Sequence, residues 1–307
     1  MGRLYSAFVL VLLLCINGQA RASLLFTPID VPGATSSDAR DINNLSQIVG
    51  TYTVGNARHG FLLSGGSYST LDVPGATSTD AWGINSSGQI VGIYTVGAAT
   101  HGFLLSGGSY MSLDVPGATL TMPRGISESS QILGAYNDAG GVPHAFVFSM
   151  GDFTTLATPP GATGMLYAQG INATGDIVGA ALLQGAVPVG FLLHDGAYNL
   201  LNVPGSVSSA AVGISNAGQI AGGFTAGGTR HGYLFTNGTF DSFDVPGSTL
   251  TVGQGINDFG LIVGTYITNG VNHGYLATQV PEPDTTTLLA IGILGLLIGR
   301  LSTRVSW

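Results

Sequence analysis

The feature that most constrains this chain is a unit repeated six times along its middle. The phrase DVPGAT begins at Asp30, Asp72 and Asp114, and degenerate copies begin at Thr158, Asn202 and Asp244. Its glycine recurs at 33, 75, 117, 161, 205 and 247, a spacing of 42 to 44 residues. Three more phrases keep step with it. One reads DIN, GIN or GIS, with Ile at 42, 84, 126, 171, 214 and 256. One is QIVG-like and ends at Gly50, Gly92, Gly134, Gly179, Gly222 and Gly264. One is HGFL-like, with its aromatic at Phe61, Phe103, Phe146, Phe191, Tyr233 and Tyr275. A chain patterned this way folds as an array of one supersecondary unit, each copy burying its neighbour.

Within a unit the phrases are short, apolar and β-rich, with turn formers between them, so each unit reads as four strands. In the second copy these are AWGIN, QIVGIYT, HGFLLS and SYMSLDV. Strands three and four are joined by two residues: Gly65-Gly66, Gly107-Gly108, Met150-Gly151, Asp195-Gly196 or Asn237-Gly238. That chemistry suits a type I′ hairpin, whose two central residues both take positive φ. No helical period competes. Four-stranded units of this length predict an all-β fold, a six-bladed β-propeller of four-stranded blades over residues 23–279. A DVPG strand, about 26–31, precedes the first complete unit, and the last unit, 255–279, has only three strands. The N-terminal strand therefore completes the last blade and closes the ring. An open solenoid would leave two bare edges.

Charged residues make up only 8 % of the chain, and all eight basic residues are Arg, where about 25 % charge is ordinary. Coiled coils and long disordered tails are excluded. So are lysine Schiff-base chemistry and a P-loop lysine. A net charge of −8 leaves no basic face for nucleic acid. Arg40, Arg58, Arg124 and Arg230 are the only basic residues of 23–279, against fourteen acids. This balance opposes anionic polymers and tolerates cations.

The two ends differ from the middle. Residues 1–22 read as a signal peptide: Arg3, an apolar run over 7–16, then Ala20-Arg21-Ala22, with Ala20 and Ala22 as the small residues of a cleavage site. Cys15, the single cysteine, lies inside it, so the mature chain carries no thiol or disulfide. Residues 280–307 hold Val280-Pro281-Glu282-Pro283, a polar spacer, the apolar LLAIGILGLLIG of 288–299, then Arg300 and Arg304. As a helix, 285–299 would be roughly 22 Å long, short of a ~30 Å hydrocarbon core. The two arginines would keep to the cytoplasmic side.

This order of features resembles the PEP-CTERM sorting segment of Gram-negative bacteria. In this chain Leu301-Ser302-Thr303 separates the two arginines, where that family ends in a tight basic cluster. The resemblance implies an exosortase-type processing enzyme as partner, and membrane attachment through the C-terminal hydrophobic helix before processing. It also implies a location in the cell envelope, at the cell surface or in an extracellular matrix, in company with exopolysaccharide. The GINxxGQIVG…HGFL pattern over all six units is similar to the HAF-repeat family of bacterial surface proteins, with HAF itself at His144-Ala145-Phe146.

One constellation recurs. A two-residue turn fixes hairpin register, which sets His59 opposite Asp72, His101 opposite Asp114 and His231 opposite Asp244. Ring closure sets His273 opposite Asp30. In the fourth copy Val189 faces Asn202, and in the third His144 faces Ala157 and lacks an acid. A pair repeated this often reads as a structural pin, since catalysis needs one site. One His with one Asp is also a thin shell for zinc, which takes three or four ligands. No catalytic, cofactor-binding or metal-ligating residue is assigned, and no cofactor is expected. The G-x-S-x-G, H-E-x-x-H, Walker A and EF-hand patterns are all absent from the sequence. Trp82 reads as a packing variation, a sugar-stacking platform being the other reading. Asp138, Glu128 and His144 in the third copy come nearest to a unique polar cluster.

The expected function is a non-catalytic binding or structural role at the surface or in the matrix. The ligand would be a glycan or a protein, held on the face bearing the loops after strand four and the turns between strands two and three. The alternative is a propeller hydrolase or lyase acting on an extracellular glycan from the central channel.

Overall fold

The computed structural model describes residues 23–163, 166–183 and 187–280. The signal peptide and the C-terminal helix lie outside the described residues, as do Ala20, Ala22, Pro281, Glu282, Pro283, Arg300 and Arg304. The described residues form strands throughout and no helix. After β1 (Ser23–Ile29) come four antiparallel sheets of four strands each. The first holds β2 (Ser36–Ile42), β3 (Ile48–Val54), β4 (Ala57–Ser64) and β5 (Ser67–Leu71). The second holds β6 (Ser78–Ile84), β7 (Ile90–Val96), β8 (Ala99–Ser106) and β9 (Ser109–Ser112). The third holds β10 (Leu120–Ile126), β11 (Ile132–Asn137), β12 (Pro143–Ser149) and β13 (Asp152–Thr155). The fourth holds β14 (Leu166–Ile171), β15 (Ile177–Leu182), β16 (Pro188–His194) and β17 (Ala197–Leu201).

The fifth repeat gives β18 (Ser208–Ile214), β19 (Ile220–Ala226), β20 (Thr229–Thr236) and β21 (Thr239–Phe243). The sixth gives β22 (Leu250–Ile256), β23 (Ile262–Thr268) and β24 (Val271–Val280). These seven and β1 form one eight-stranded sheet, β1-β24-β23-β22-β20-β19-β18 with β21 on β20. The sequence predicts six separate sheets; the described residues form four, plus this larger one. The cause is a single parallel bridge, Arg230 to Leu250, which ties β20 to β22. The strand count is matched: β1 lies beside β24 as the missing fourth strand of the last repeat.

The recurring phrases have a common physical origin. Each repeat buries one aromatic ring completely: Phe61, Phe103, Phe146, Phe191, Tyr233 and Tyr275. Its cross-strand partner is the glycine of the QIVG phrase, as in Gly50 opposite Phe61. A Cβ on Gly50 would stand 2.7 Å from the Phe61 ring, and one on Gly134 2.6 Å from the Phe146 ring. The ring occupies the space a side chain would need, so the two phrases recur together. Packing runs between sheets as well: Val49 of the first lies with Ala81, Ile84, Ile90 and Phe103 of the second. Burying each of the larger of these side chains contributes about 2 kcal/mol. The five two-residue turns have positive φ at both central positions, including Met150 (54°), Asp195 (49°) and Asn237 (51°), as a type I′ hairpin requires.

Successive repeats are stitched together by the residue after the G-I pair. The Asn43 amide donates to Asn85 O (3.0 Å), Asn85 to Ser127 O (3.1 Å), Asn172 to Ser215 O (3.4 Å) and Asn257 back to Asn43 O (3.1 Å). One residue further on, a second set runs in the same sense, with backbone and side chain exchanging roles. The backbone N–H groups of Asn44, Ser86, Ala173, Asn216 and Asp258 donate to the side chains of Ser86, Glu128, Asn216, Asp258 and Asn44. From the third repeat to the fourth both links are missing. Ser127 has no amide to donate, and Ala173 has no side-chain acceptor.

Candidate functional site

The first strands of the six repeats, β2, β6, β10, β14, β18 and β22, face the axis of the ring. Each carries one β-bulge at the same place. The register slips between Ala39 and Asp41, Ala81 and Gly83, Pro123 and Gly125, Ala168 and Gly170, Ala211 and Gly213, and Gly253 and Gly255. A bulge leaves one residue unpaired and re-aims its side chain. The six residues so placed are Arg40, Trp82, Arg124, Gln169, Val212 and Gln254. All six line one axial cavity of about 70 Å³. A wider cavity of about 300 Å³ shares Arg40, Gln169, Val212 and Gln254 with it and adds Asp38, Arg230, Thr265 and Asn272. It is bordered by Leu250 and Ile267, at the strand ends next to the loops after strand four. A third cavity, of about 50 Å³, shares Asp41 and is ringed by Asn43, Asn44, Glu128, Asn172, Asn216 and Asp258.

Three of the four arginines of 23–279 therefore meet at the axis. The fourth, Arg58, is paired with Asp80 at 2.7 Å. The Arg124 guanidinium lies 4.3 Å from the Trp82 ring centroid, a cation–π contact. Burial, and then the charge of Arg40, bring its pKa down to about 10. Burial also lowers the pKa of Arg230. The ε nitrogens of Arg40 and Arg230 are buried without a hydrogen-bond partner. Arg40 has Asp38 at 3.7 Å, and Asp38 also accepts bonds from Thr265 and Asn272.

Asp41 is peculiar to the first repeat; the other five have Gly at that position. Its carboxylate accepts from the backbone N–H of Ile42 (2.9 Å) and of Ile84 in the next repeat (3.0 Å). Loss of hydration pushes its pKa up to about 7, against the pull of those two bonds and with a smaller push from Glu128.

The predicted His–Asp partners are in contact. His59 Nδ1 stands 2.9 Å from Asp72, His101 Nδ1 2.9 Å from Asp114, His231 Nδ1 2.8 Å from Asp244, and His273 Nδ1 3.1 Å from Asp30. Each histidine packs on a strand-two ring, Tyr52, Tyr94, Phe224 or Tyr266, with centroids 5.2–5.3 Å apart. None of these paired residues lines the axial cavities. Two features differ from expectation. His144 does have an acid: its Nε2 meets Asp138 at 3.0 Å, because Asp138 sits in the turn before β12 rather than across the hairpin. The bond from His144 is the main cause holding Asp138 below the usual carboxylate range. Glu128 stands apart from them, accepting from Ser86, so the third repeat has no three-residue cluster. In the fourth repeat His194 meets Asp176 at 2.6 Å, a pair that raises the His194 pKa. Among the described residues no three His, Cys, Asp or Glu side chains converge as a metal site. Val280 ends β24.

The bulge residues were the hidden part of the site. Trp82 is not an isolated packing variation, since its equivalents are Arg40, Arg124, Gln169, Val212 and Gln254. The signal was that this position differs between copies while Gly-Ile beside it hardly changes.

No family model and no curated protein sequence matches this chain. Solved structures do. The fucose-binding lectin of Aleuria aurantia matches at 15 % identity over 82 % of this chain and 98 % of its own, with a TM-score of 0.51. The chain is a β-propeller. Virginiamycin B lyase from Staphylococcus aureus matches the propeller at 12 % identity, over 83 % of this chain and 100 % of its own (TM-score 0.52). TolB from Acinetobacter baumannii does so at 12 % over 80 % of this chain and 64 % of its own (TM-score 0.51). A lectin, a lyase and TolB share this propeller fold, which leaves both binding and catalysis open to it.

Proposed function

We propose that this propeller is an exported, glycan-binding protein of the cell surface or extracellular matrix, with its site at the axis of the ring. One observation carries the reading. Six copies of one unit place their unpaired bulge residue, which differs from copy to copy, on the same cavity, so a repetitive scaffold surrounds one asymmetric site. Arg, Gln and Trp are the side chains that hydrogen-bond and stack on sugars, and lectins are among the proteins sharing the fold. The wider cavity adjoins the face expected to make contact, but the ligand enters the axis rather than lying on the loops. The ring counts six blades: the eight-stranded sheet divides into two four-stranded halves at its one bridge, and one of the similar lectins is a six-bladed propeller. Export through residues 1–22, sorting through 280–307 by an exosortase-type enzyme, and company with exopolysaccharide follow from the resemblances in sequence.

A second reading, hydrolase or lyase, is favoured by Asp41, whose carboxyl is brought into the range of a general acid or base. Both of its oxygens are held by backbone N–H groups, as in a structural carboxylate. Calorimetry of the purified chain against the producing organism's exopolysaccharide, with and without calcium, tests the first reading. Saturable heat that Gln254→Leu abolishes supports it, and absence of heat in both buffers overturns it. Shortening of the polymer during the titration would move the assignment to the enzyme.

A further inference from the structure

We infer that the axial site takes the carboxylate of an acidic sugar, a uronate at the end of a glycan, head first; this rests on the glycan-binding reading above. The distribution of charge is the first ground. Residues 23–279 hold four arginines against fourteen acids, yet three of the four stand at one channel. Among the described residues no carboxylate pairs with Arg124 or Arg230. Arg40 and Arg124 are close enough for their charges to repel, and the Arg40 and Arg230 ε nitrogens are donors without acceptors. An anion among these groups relieves both defects, and a carboxylate matches the planar guanidinium fork.

Asp41 is the second ground, because it shows what the channel wall binds. The N–H of Ile84 points off the open edge of β6 and is taken by the Asp41 carboxylate. Ile126, Ile171, Ile214 and Ile256 occupy the same register in their strands, each opposite the Ile of strand two, as Ile84 is opposite Ile90. Their N–H groups lie on the same open edge, and all four residues line the axial cavity. The protein's own carboxylate uses two of these six donors, and four remain for a second one. The acids already at the site are engaged, Asp41 by Ile42 and Ile84, and Asp38 by Arg40, Thr265 and Asn272.

Size sets the orientation. The throat of about 70 Å³ admits a carboxylate head, while the vestibule of about 300 Å³ has room for one pyranose ring. Gln169 and Gln254 border both, and Asn272 and Thr265 border the vestibule; these supply partners for ring hydroxyls. A throat this narrow does not pass a polymer, so the site reads an end. The net negative surface is compatible with this, since one buried carboxylate is held rather than a polyanion along a face.

The test is calorimetry of the full chain at pH 7 with glucuronate, galacturonate, glucose and acetate, alongside the exopolysaccharide. The uronates are expected to bind at least about tenfold more tightly than glucose or acetate. Arg124→Gln should weaken uronate binding by about tenfold or more, as the loss of a charged hydrogen-bonding partner does. Asp195→Asn, in an exposed hairpin turn, should leave it unchanged. If Arg124→Gln does not fold, Arg40→Gln serves in its place, with the same loss expected. Equal binding of glucose and glucuronate, or full uronate binding by the variant, overturns the carboxylate while leaving glycan binding standing. Acetate binding as tightly as the uronates overturns the sugar. Absence of binding by every saccharide and by the polymer overturns both readings.

Discussion

The junction between the sixth and first repeats and the junction between the third and fourth share apolar packing and differ in the polar bonds added to it. At the first, no linking loop joins the two repeats, and polar bonds crowd in. Asn257 donates to Asn43 O, Asp258 and Asn44 bond twice, Asp38 holds Thr265 and Asn272, His273 meets Asp30, and β1 lies on β24. At the second, the chain runs straight through and the axial bonds are missing. What remains is apolar packing of the kind the closing junction also has: Leu133 and Ala145 lie with Ala168, Ile171, Ile177 and Phe191, and Tyr198 donates to Ala157 O at 2.6 Å. Joining two ends of a long chain costs more entropy than joining neighbours, and the directional bonds are concentrated where that cost is met.

The sharpest way to break this comparison is to remove β1. A chain beginning at residue 33 loses buried Ile29 and the Asp30–His273 contact and bares the edge of β24. Loss of cooperative thermal unfolding and of the monomer peak in size-exclusion chromatography is expected; a monomer with an unchanged midpoint would show that closure is dispensable. Next in size are single-residue changes at the two junctions. Asn257→Ala removes the bond to Asn43 O and two bonds from Phe259 and Leu261 N–H, about 2–3 kcal/mol in urea unfolding. Ser127→Ala removes the Oγ acceptor of Gln131 N–H, about 1 kcal/mol. Equal losses would erase the distinction.

The third way uses pH. At the closing junction Gly255 abuts Asp41, whose folded pKa is raised to about 7. The folded state therefore holds that proton more firmly than the unfolded chain does. Its contribution is full below the unfolded pKa of about 4 and is lost as pH rises through 7. Urea midpoints of the wild type should fall relative to Asp41→Gly between pH 4 and 8; parallel profiles would remove Asp41 from the account. The smallest effect is a gain. Ser127→Asn should donate to Asn172 O as Asn85 does to Ser127 O, adding about 1 kcal/mol, and a second copy of the change at the closing junction has no vacant place to fill.

Much of the scaffold was legible because local chemistry determines it. The turn pairs such as Asn237-Gly238 fix hairpin register, and register alone sets His231 beside Asp244. The odd strand at each end of the repeats foretold β1 beside β24. Other features depend on what the local pattern does not encode. A bulge at Arg40 or Arg124 leaves the phrase around it unchanged, so it shows only when copies are compared. The union of the last two repeats in one sheet hangs on one bridge, a matter of how far two strands splay. His144 found Asp138 through a longer turn, not through the two-residue turn that governs its equivalents.

The partner of β1 is the last of the described strands to be made. Asp30 and His273 stand 243 residues apart in the chain. Relative to joining repeats 42 residues apart, the added closure entropy is only about 1.5 kcal/mol. The delay is more demanding than the energy, since synthesis at ~5–20 residues per second leaves β1 without its neighbour for on the order of 10–50 s. Throughout that time it is an exposed apolar strand open to any other edge. Pro28, near its end, has no N–H to offer, so a wrong partner meanwhile finds an incomplete ladder.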